Sequence, residues 1–421
     1  MPVKNLAASI GRSVGRRPLG WWVATRLAAF LLLALHEANA GVFGDVNYFY
    51  DSFEHLSAHG FGDTLNEYPL PMVLAAGGIW VVGRLLGGPT SYSLLVMVVG
   101  LTVDALYTRA LLRRQAGEGH GGAVAWILAV PALGGITLVR FDLLVGVLVG
   151  VAVLLCAVRP LLATVLVSLA TALKLWPVLL LPQFVLAGRR TWTALVAVAV
   201  VGLGSLVTIT VLAGPERIFS PLEYQSDRGL QVESVFAAPL MVAFATGGHG
   251  WHVAFADSRS YEVSGSGDTL LLALSTLATV MLACGFAVLS LRLLRMRGRI
   301  GTEAIVWCAL ATTTGFTVTS KVLSPQYLIW LFPVAAAGLA LLPTRTLRMW
   351  TGWLVGVAAA THVLYPWLYR GLVLQVSETP VAVLLLVARD AVLVWLFVVA
   401  ARQAWRATSR QHDREAVAVG G

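Results

Sequence analysis

The chain has 421 residues, of which 58% are hydrophobic and only 12% are charged. This charged share is about half that of a typical soluble domain, which excludes an ordinary water-soluble globule. The formal net charge of +9 does not indicate a nucleic-acid partner, because the basic residues form short clusters between apolar runs. Such clusters are typical of cytoplasmic loops in membrane proteins, and contact with anionic membrane lipids is a second interpretation.

Apolar runs of about 17 to 25 residues recur along almost the whole chain, and each is long enough to cross a bilayer as a helix. They predict an all-α fold, a polytopic transmembrane bundle of about 11 to 13 helices in a single domain over residues 1–401. The predicted segments are 20–36, 69–86, 91–111, 122–139, 142–158, 161–187, 191–213, 269–292, 302–320, 324–342, 348–367 and 380–401.

The first apolar segment follows a basic stretch without acidic residues, as a cleavable export signal would. His36 and Glu37 stand where small residues would be needed before a cleavage site. This favours a retained helix with a cytoplasmic N-terminus, although the small residues at positions 38, 40 and 41 keep the cleaved alternative open.

Two connections are too long to be turns, residues 37–68 and 214–268. Helix counting from the N-terminus, and separately from the basic C-terminal segment, places both on the outer side of the membrane. Residues 402–421 are polar and predict a disordered cytoplasmic tail. The sequence therefore predicts two long extracytoplasmic loops at one face of the bundle.

The helix count leaves two topologies open. If every segment crosses, the arginines at positions 109–114 fall outside, against the positive-inside rule. In the alternative, one segment between 69 and 111 does not cross, and segment 161–187 dips in and returns because Pro177 breaks it. We favour the alternative, since it brings the charges inside the apolar runs to the side of the long loops.

The first loop contains five acidic residues in a stretch rich in aromatic residues: Asp45, Asp51, Glu54, Asp63 and Glu67. Transfer of a sugar to an alcohol needs a base that removes the hydroxyl proton, a contribution of roughly 10²- to 10⁴-fold. Asp45 is the candidate for that base, because it comes just after the first helix. In the alternative interpretation the five carboxylates only keep an exposed loop soluble.

Charges inside apolar runs are a second signal, because a lysine at the bilayer centre costs roughly 2.5 to 3.5 kcal/mol. Lys174 lies in such a run beside Pro177, and we expect it to face a cavity or an anion. Arg140 and Asp142 interrupt another run. They either form a mutual ion pair at the membrane boundary or contact a substrate.

The second loop carries further polar candidates. Arg228 has the chemistry to clamp a phosphate, and Gln231 and Glu233 to bind sugar hydroxyls, although a solvated loop would have the same composition. Lys321 and Gln326 lie at the outer junction of two predicted helices, where the lysine is either an interface anchor or a second phosphate contact. No metal or cofactor site is predicted, because the histidines are scattered and the cysteines lie in apolar segments.

Six features occur in a characteristic order: Asp45 after the first helix, YPLP at 68–71, RFDLL at 140–144, LKLWPVLLLP at 173–182, RGLQVES at 228–234 and KVLSPQYLIWLFP at 321–333. Together they resemble glycosyltransferase family 87, the polyprenyl-phosphate-mannose-dependent mannosyltransferases of the GT-C superfamily. The resemblance runs from about residue 20 to residue 400, and the last three motifs are the most specific. YPLP departs from the family, whose members often have two adjacent prolines there.

The resemblance implies a GT-C fold and an inverting transfer from a polyprenyl phosphate sugar, with Asp45 as the base. On this hypothesis a polyprenyl phosphate mannose donor and a lipid-linked or cell-wall glycan acceptor meet at the outer face of the plasma membrane. The expected phosphate contacts are Lys174, Arg140, Arg228 and Lys321. The expected sugar or acceptor contacts are Tyr50, Tyr68, Asp142, Gln231, Glu233 and Gln326.

Two other kinds of protein remain as alternatives. A secondary transporter or lipid-linked sugar flippase would also have intramembrane charges and broken helices, but usually has two related halves, and no internal repeat is evident in the sequence. A non-catalytic scaffold or lipid scramblase would account for the apolar bulk. It would not account for an acid-rich first loop combined with cations inside apolar runs.

Overall fold

A computed structural model describes residues 9, 11, 13–40, 43–114, 120–247 and 250–419, without the side chains of residues 36–40 and 410–419. Helices make up 81% of the structure, and the only strands in the described part of the chain form one hairpin. The predicted all-α class is therefore confirmed. The residues that argued against a cleavable signal, His36 and Glu37, lie outside the described side chains.

The helices in chain order are α1 Pro18–Ala40, α2 Gly44–Glu54, α3 Leu56–Asp63, α4 Leu70–Leu85, α5 Pro89–Arg114, α6 Gly121–Leu133, α7 Asp142–Leu155, α8 Pro160–Leu173, α9 Leu181–Ala187, α10 Thr191–Ala213, α11 Ser220–Ser226, α12 Ala238–Ala245, α13 Asp268–Arg295, α14 Thr302–Thr319, α15 Leu328–Leu341, α16 Arg345–His362, α17 Tyr369–Val373 and α18 Thr379–Val419. Short 3-10 or π turns lie at Gly135–Leu138, Trp176–Leu180, Pro215–Ile218, Val235–Ala237, Pro325–Tyr327 and Val363–Leu368. The strands are β1 Trp251–Phe255 and β2 Tyr261–Gly265.

Five of the described helices are long and apolar enough to cross a membrane: α1, α5, α10, α13 and α18. Two of them, α10 and α13, bury very few of their own side chains, so that Leu203 is 62% exposed and Met281 66% exposed. Apolar surface on this scale is unstable in water and is compatible with lipid. The chain is accordingly an α-helical membrane protein.

The core of the bundle is formed by helices that are buried all round. Nearly every residue of α14 and α15 is buried, as expected for helices with apolar residues on every face. α7 packs closely against α15, because Gly146 leaves no room for a side chain: a Cβ there would lie 2.6 Å from the carbonyl oxygen of Ile329. This close packing places the N-terminus of α7 beside the start of α15.

The segment with Pro177 is broken, as the sequence predicts. α8 ends at Leu173, Lys174 has an extended backbone, and the chain then runs through the turn at Trp176–Leu180 into α9. The residue after α9, Gly188, returns to the start of α8, since a Cβ on it would lie 3.1 Å from Cβ of Pro160. The segment therefore enters the bundle and turns back, and Lys174 lies at its tip.

Both ends of α4 lie beside the first loop. α4 begins two residues after Tyr68. Near its end, Nε of Arg84 lies 3.8 Å from the carboxylate of Glu54, and in α5 the ring of Tyr92 packs 5.6 Å from that of Tyr50. α4 thus stays at the loop end of the bundle while α5 runs away from it. The helix at Leu70–Leu85 is also shorter than the five candidate spans, and which segments cross the membrane stays a prediction.

The two predicted loops are mostly folded. The first contains α2 and α3, and the second contains α11, α12 and an antiparallel hairpin in which Phe255 of β1 is paired with Tyr261 of β2. Arg217 holds the loops together: its guanidinium donates to the carbonyl oxygens of Leu65 at 2.9 Å and Tyr68 at 2.8 Å. Both loops consequently cover the same end of the bundle.

The C-terminal segment differs from its prediction. α18 continues to Val419, so the tail that the sequence predicts as disordered is helical up to that residue. Residues 402–409 contain two arginines, two alanines and a glutamine, which favour continuation of an existing helix, and no glycine or proline that would end it.

Candidate functional site

A cavity of about 430 Å³ opens at the loop end of the bundle. This volume falls within the range of small-molecule sites in proteins. Eight of the eleven predicted site residues line it: Asp45, Tyr68, Arg140, Lys174, Arg228, Gln231, Glu233 and Gln326. The tertiary structure therefore brings together residues from both loops, from the broken segment and from the turn before α15.

Asp45 lies at the edge of this cavity, in the first turn of α2. Its carboxylate Oδ2 is 3.1 Å from Nε of Arg140, whose side chain is only 7% exposed, whereas that of Asp45 is 46% exposed. A buried arginine thus holds one oxygen of a carboxylate that remains accessible. The helix N-terminus beside Asp45 further favours a negative charge at this position.

Asp142 and Lys174 form a second ion pair at the cavity floor. The Lys174 ammonium donates to Oδ1 of Asp142 at 2.6 Å, and the indole N–H of Trp330 donates to the same oxygen at 2.6 Å. The ammonium also lies 5.0 Å from the ring centre of Trp330 and 5.8 Å from those of Tyr68 and Tyr327. The anion that Lys174 was expected to face is therefore supplied by the protein itself.

The proposed mutual pair of Arg140 and Asp142 is wrong. Arg140 pairs with Asp45, and Asp142 pairs with Lys174. Asp142 is buried beneath the cavity and does not line it, so its predicted role as a sugar contact has no geometric basis. Arg140 and Asp142 lie two positions apart but have different partners, because Arg140 precedes α7 and Asp142 lies in its first turn.

The hairpin forms one wall of the cavity. Arg228, earlier in the second loop, donates from Nη2 to Oγ of Ser260 in the hairpin at 2.9 Å and lies over the ring of Tyr224, 5.8 Å from its centre. The Nε atom of Arg228 is buried and has no hydrogen-bond partner among the described residues. At the hairpin turn the guanidinium of Arg259 lies 3.9 Å from the ring centre of Tyr48. Neither arginine is paired with a carboxylate within the described part of the chain.

Arg259 was missed by the sequence analysis. It has a positive φ of 54°, which is uncommon for a residue other than glycine. That backbone conformation turns the chain between the strands and brings the arginine side chain onto Tyr48 of the first loop. A hairpin of five-residue strands inside an apparently irregular loop gives only a weak sequence signal.

Two other predicted residues hold the second loop in place. Gln231 is buried: its amide oxygen accepts from the backbone N–H of Leu323 at 2.7 Å, and its own backbone N–H donates to the carbonyl of Lys321 at 3.1 Å. Glu233 is fully buried, with Oε2 2.9 Å from Nη1 of Arg389. Both residues line the cavity, and both connect it to the helices below.

Arg389 and its neighbour Asp390 were also missed. They lie in the first third of α18 and are buried, and the Nη2 atom of Arg389 donates to Asp390 at 2.8 Å and to the carbonyl of Glu233 at 2.6 Å. Charged residues inside an apolar run, here 380–401, cost free energy in a membrane unless they are paired. The Arg–Asp pair in this run was therefore the sequence feature that could have indicated a buried contact.

The structure does not bring Lys321 and Tyr50 into the cavity. Nζ of Lys321 donates to the carbonyl oxygen of Ser226 at 2.8 Å, and burial lowers the pKa of this lysine. The ring of Tyr50 packs against Tyr92 on the side of α2 that faces α4 and α5. Tyr50 comes five positions after Asp45 in α2, so the helical twist directs the two side chains differently.

The five acids of the first loop fall into two groups. Asp51, Glu54 and Asp63 are exposed on the surface, as the solubility interpretation requires. Asp45 and Glu67 line the cavity. Burial raises the pKa of Glu67, and this carboxyl is hydrogen-bonded to the hydroxyl of Tyr48. Only two of the five therefore have access to a ligand in the cavity.

No protein-family model matches the chain, and no characterised protein matches it either. Within the described residues, no group of three His, Cys, Asp or Glu side chains could hold a metal ion. The groups that line the cavity include the accessible carboxylate of Asp45, four cationic side chains and several tyrosines.

An apolar groove of about 320 Å³ lies near the cavity. It runs between α8, the turn after it and α10, and its lining is mainly Leu, Val, Ile and Pro side chains. Pro69 and Leu175 line the groove, whereas the residues that precede them, Tyr68 and Lys174, line the cavity. The polar cavity and the apolar groove therefore lie close to each other at these two points of the chain, although no described residue lines both.

Proposed function

We propose that the protein is an inverting membrane glycosyltransferase of GT-C type, which moves a sugar from a polyprenyl phosphate to a glycolipid or glycan acceptor. One observation supports this most: the accessible carboxylate of Asp45 stands at the rim of a cation-lined cavity, and an apolar groove lies next to two of the segments that line this cavity. A polyprenyl phosphate sugar has the matching three parts, namely a neutral polar ring, an anion and an apolar chain.

The donor phosphate fits beside Arg228 and Arg259. Of the four cations that line the cavity, Arg140 and Lys174 are already paired with Asp45 and Asp142. Neither of the other two forms an ion pair among the described residues, although Glu67 is near enough to Arg259 to interact with it electrostatically. The buried Nε of Arg228 is a donor without an acceptor in the described structure. Guanidinium groups bind phosphate oxygens with charge-assisted hydrogen bonds.

The polyprenyl chain lies in the apolar groove between α8 and α10. This groove is lined by Pro69 and Leu175, the residues that directly follow Tyr68 and Lys174 of the cavity. α10 itself exposes most of its side chains, so a chain in the groove is continuous with the surrounding lipid. The tail passes between lipid and groove without exposure to water, so its place in the groove depends on packing and not on hydrophobic transfer from water.

In the proposed reaction Asp45 acts as general base. The acceptor oxygen attacks the anomeric carbon of the donor, the bond from that carbon to the phosphate oxygen breaks, and polyprenyl phosphate leaves. The acceptor proton passes to the carboxylate of Asp45, which Arg140 holds in place. Arg228 and Arg259 stabilise the charge that develops on the leaving phosphate, which is generally a large catalytic effect in a site screened from water.

The orientation follows from the helices around the cavity. α13 and α15 both run from the cavity end towards the opposite end, where Arg292, Arg295, Arg345 and Arg348 lie in or beside the connections. Arginine clusters at that end favour a cytoplasmic location for it. The cavity then faces the outer side of the plasma membrane.

The decisive experiment uses purified full-length protein, radiolabelled polyprenyl phosphate mannose and a glycolipid extract from membranes that lack the protein. We expect wild type to form a labelled glycolipid and Asp45→Asn to lower the rate by roughly 10²- to 10⁴-fold. Asp51→Asn is the matched control, because Asp51 is an exposed acid on the same helix and does not line the cavity; it should keep the wild-type rate.

Two results would contradict the proposal. Movement of the labelled carrier across proteoliposome membranes without any glycolipid product would favour a transporter or flippase. Equal product formation by wild type and Asp45→Asn would show that the reaction does not use this carboxylate.

A further inference from the structure

One part of the cavity has a composition suited to a neutral sugar ring. Glu233 lines it together with Tyr261, Tyr365 and Tyr369. The ring centres of Tyr261 and Tyr369 are 5.9 Å apart, and those of Tyr365 and Tyr369 are 5.1 Å apart, in edge-to-face contacts. We call these four residues the tyrosine pocket. Its side chains come from the second loop, the hairpin and the segment around α17.

Glu233 is held rigidly in this pocket. Oε2 of its carboxylate accepts from Nη1 of Arg389 at 2.9 Å, and its backbone carbonyl accepts from Nη2 at 2.6 Å. Both side chains are fully buried. The other carboxylate oxygen, Oε1, is buried and has no hydrogen-bond partner among the described residues. A fixed acceptor without a donor is therefore present at the wall of the cavity.

The charges around Glu233 do not balance. Arg389 is shared with Asp390, whose Oδ1 accepts from its Nη2 at 2.8 Å and whose Oδ2 also has no partner in the described structure. One buried cation thus faces two buried carboxylates. Burial raises the pKa of Glu233 to about 7, although Arg389 opposes this shift. An additional anion, such as a phosphate, is disfavoured here, whereas a hydroxyl donor would satisfy the open oxygen.

We propose that the tyrosine pocket binds the sugar ring of the polyprenyl phosphate donor, with Oε1 of Glu233 accepting a hydrogen bond from a ring hydroxyl. This inference rests on the proposed function. Tyrosine rings supply broad apolar surface with a polar edge, which suits the C–H face of a sugar. Glu233 lies in the same short segment as Arg228, so a phosphate on Arg228 leaves its attached sugar on the same wall of the cavity.

The test compares binding of two probes to purified full-length protein: polyprenyl phosphate mannose and bare polyprenyl phosphate of the same chain length. We expect wild type to bind the mannose-bearing probe more tightly. In Glu233→Gln the amide oxygen takes the contact with Arg389 and turns the NH₂ group towards the cavity, so an acceptor becomes a donor. This preference should then fall by roughly 10-fold or more, with unchanged affinity for the bare carrier.

A second variant guards against misfolding at the buried ion pair. Tyr261→Leu removes one ring of the pocket on the hairpin and leaves its backbone hydrogen bond to Val232 intact; it should also weaken the preference for the sugar-bearing probe. Glu223→Gln, an exposed acid of the same loop outside the cavity, is the matched control and should bind both probes as wild type does.

The outcomes separate this inference from the proposed function. If wild type transfers mannose but both pocket variants keep the full preference for the sugar-bearing probe, the pocket does not hold the donor sugar and the inference is overturned. If wild type neither transfers mannose nor distinguishes the two probes, the proposed function fails and the inference fails with it.

Discussion

Lys174 donates to Asp142 at 2.6 Å, although one residue ends a helix that dips into the bundle and the other begins α7. The side chain of Asp142 is 6% exposed and that of Lys174 is 19% exposed, so the pair is largely hidden from water. It joins the tip of the re-entrant segment to the core beneath the cavity. We therefore assign the pair to the architecture of the cavity floor and not to phosphate binding.

Removal of one partner of this pair should destabilise the protein. Lys174→Met leaves the carboxylate of Asp142 buried with only the indole of Trp330, at an expected loss of about 3 to 5 kcal/mol. The double variant Lys174→Met/Asp142→Leu should recover most of this loss, because a buried pair replaced by apolar groups is often neutral. Thermal unfolding in detergent measures both. If Lys174→Met is as stable as wild type but binds the donor more weakly, Lys174 is a phosphate ligand, as the sequence analysis expects.

Arg228 and Arg259 should determine donor affinity. Arg228→Gln and Arg259→Gln each remove a cation that has no carboxylate partner in the described structure, and we expect KM for the donor to rise roughly 10- to 100-fold. Arg84→Gln is the control, since Arg84 is 57% exposed and lies outside the cavity. Steady-state kinetics with labelled donor provide the values. If KM for the donor is unchanged in both Arg228→Gln and Arg259→Gln, the donor phosphate does not bind at these two arginines.

Helix packing at α7 should tolerate no added methyl group. In Gly146→Ala the new Cβ would meet the carbonyl oxygen of Ile329 at 2.6 Å, so α7 and α15 must move apart, at a cost of about 1 to 3 kcal/mol. Gly285 in α13 has open space around it, and Gly285→Ala should be neutral or stabilising by about 0.5 to 1 kcal/mol. The unfolding midpoint of Gly146→Ala should fall, and that of Gly285→Ala should stay unchanged or rise. Equal shifts would mean that α7 and α15 are not in close contact.

Stability should depend on pH through Glu233. Its pKa is raised from 4.5 to about 7 by burial, with Arg389, Asp390 and the pocket tyrosines as neighbours. Below about pH 4.5 the carboxyl is protonated in both folded and unfolded chains. As the pH rises towards about 7, the unfolded chain releases this proton first, so the stability that depends on it is lost.

Unfolding midpoints measured across this pH range at constant ionic strength check the sign. The midpoint of wild type should fall more steeply with rising pH than that of Glu233→Gln, which has no proton to lose at this position. The comparison cancels the other titrating groups, because both proteins contain them. Parallel curves would show that Glu233 is ionised over the whole range in the folded state.

Much of the helical architecture was predictable from local sequence. The twelve apolar segments correspond closely to helices of the structure, and the break at Pro177 occurs where a proline must interrupt a helix. Hydrophobic runs and prolines act on their own neighbourhood, so their effect can be read without knowledge of the rest of the chain. The gathering of Asp45, Arg140, Lys174 and Arg228 at one end followed from the topology with a re-entrant segment.

The partners of those residues were not predictable in the same way. Arg140 pairs with Asp45 instead of its near neighbour Asp142, and Glu233 is held by Arg389 of the last long helix. The hairpin that brings Arg259 onto Tyr48 also had no clear sequence signal.

Composition and hydrophobic runs by themselves determined that this chain is a helical membrane protein with charged residues at one end of the bundle. Tertiary packing alone decided which of those charges neutralise each other and which face the cavity. The physical reason is range: hydrophobic burial acts segment by segment, whereas an ion pair forms only when two distant segments are placed within a few ångströms.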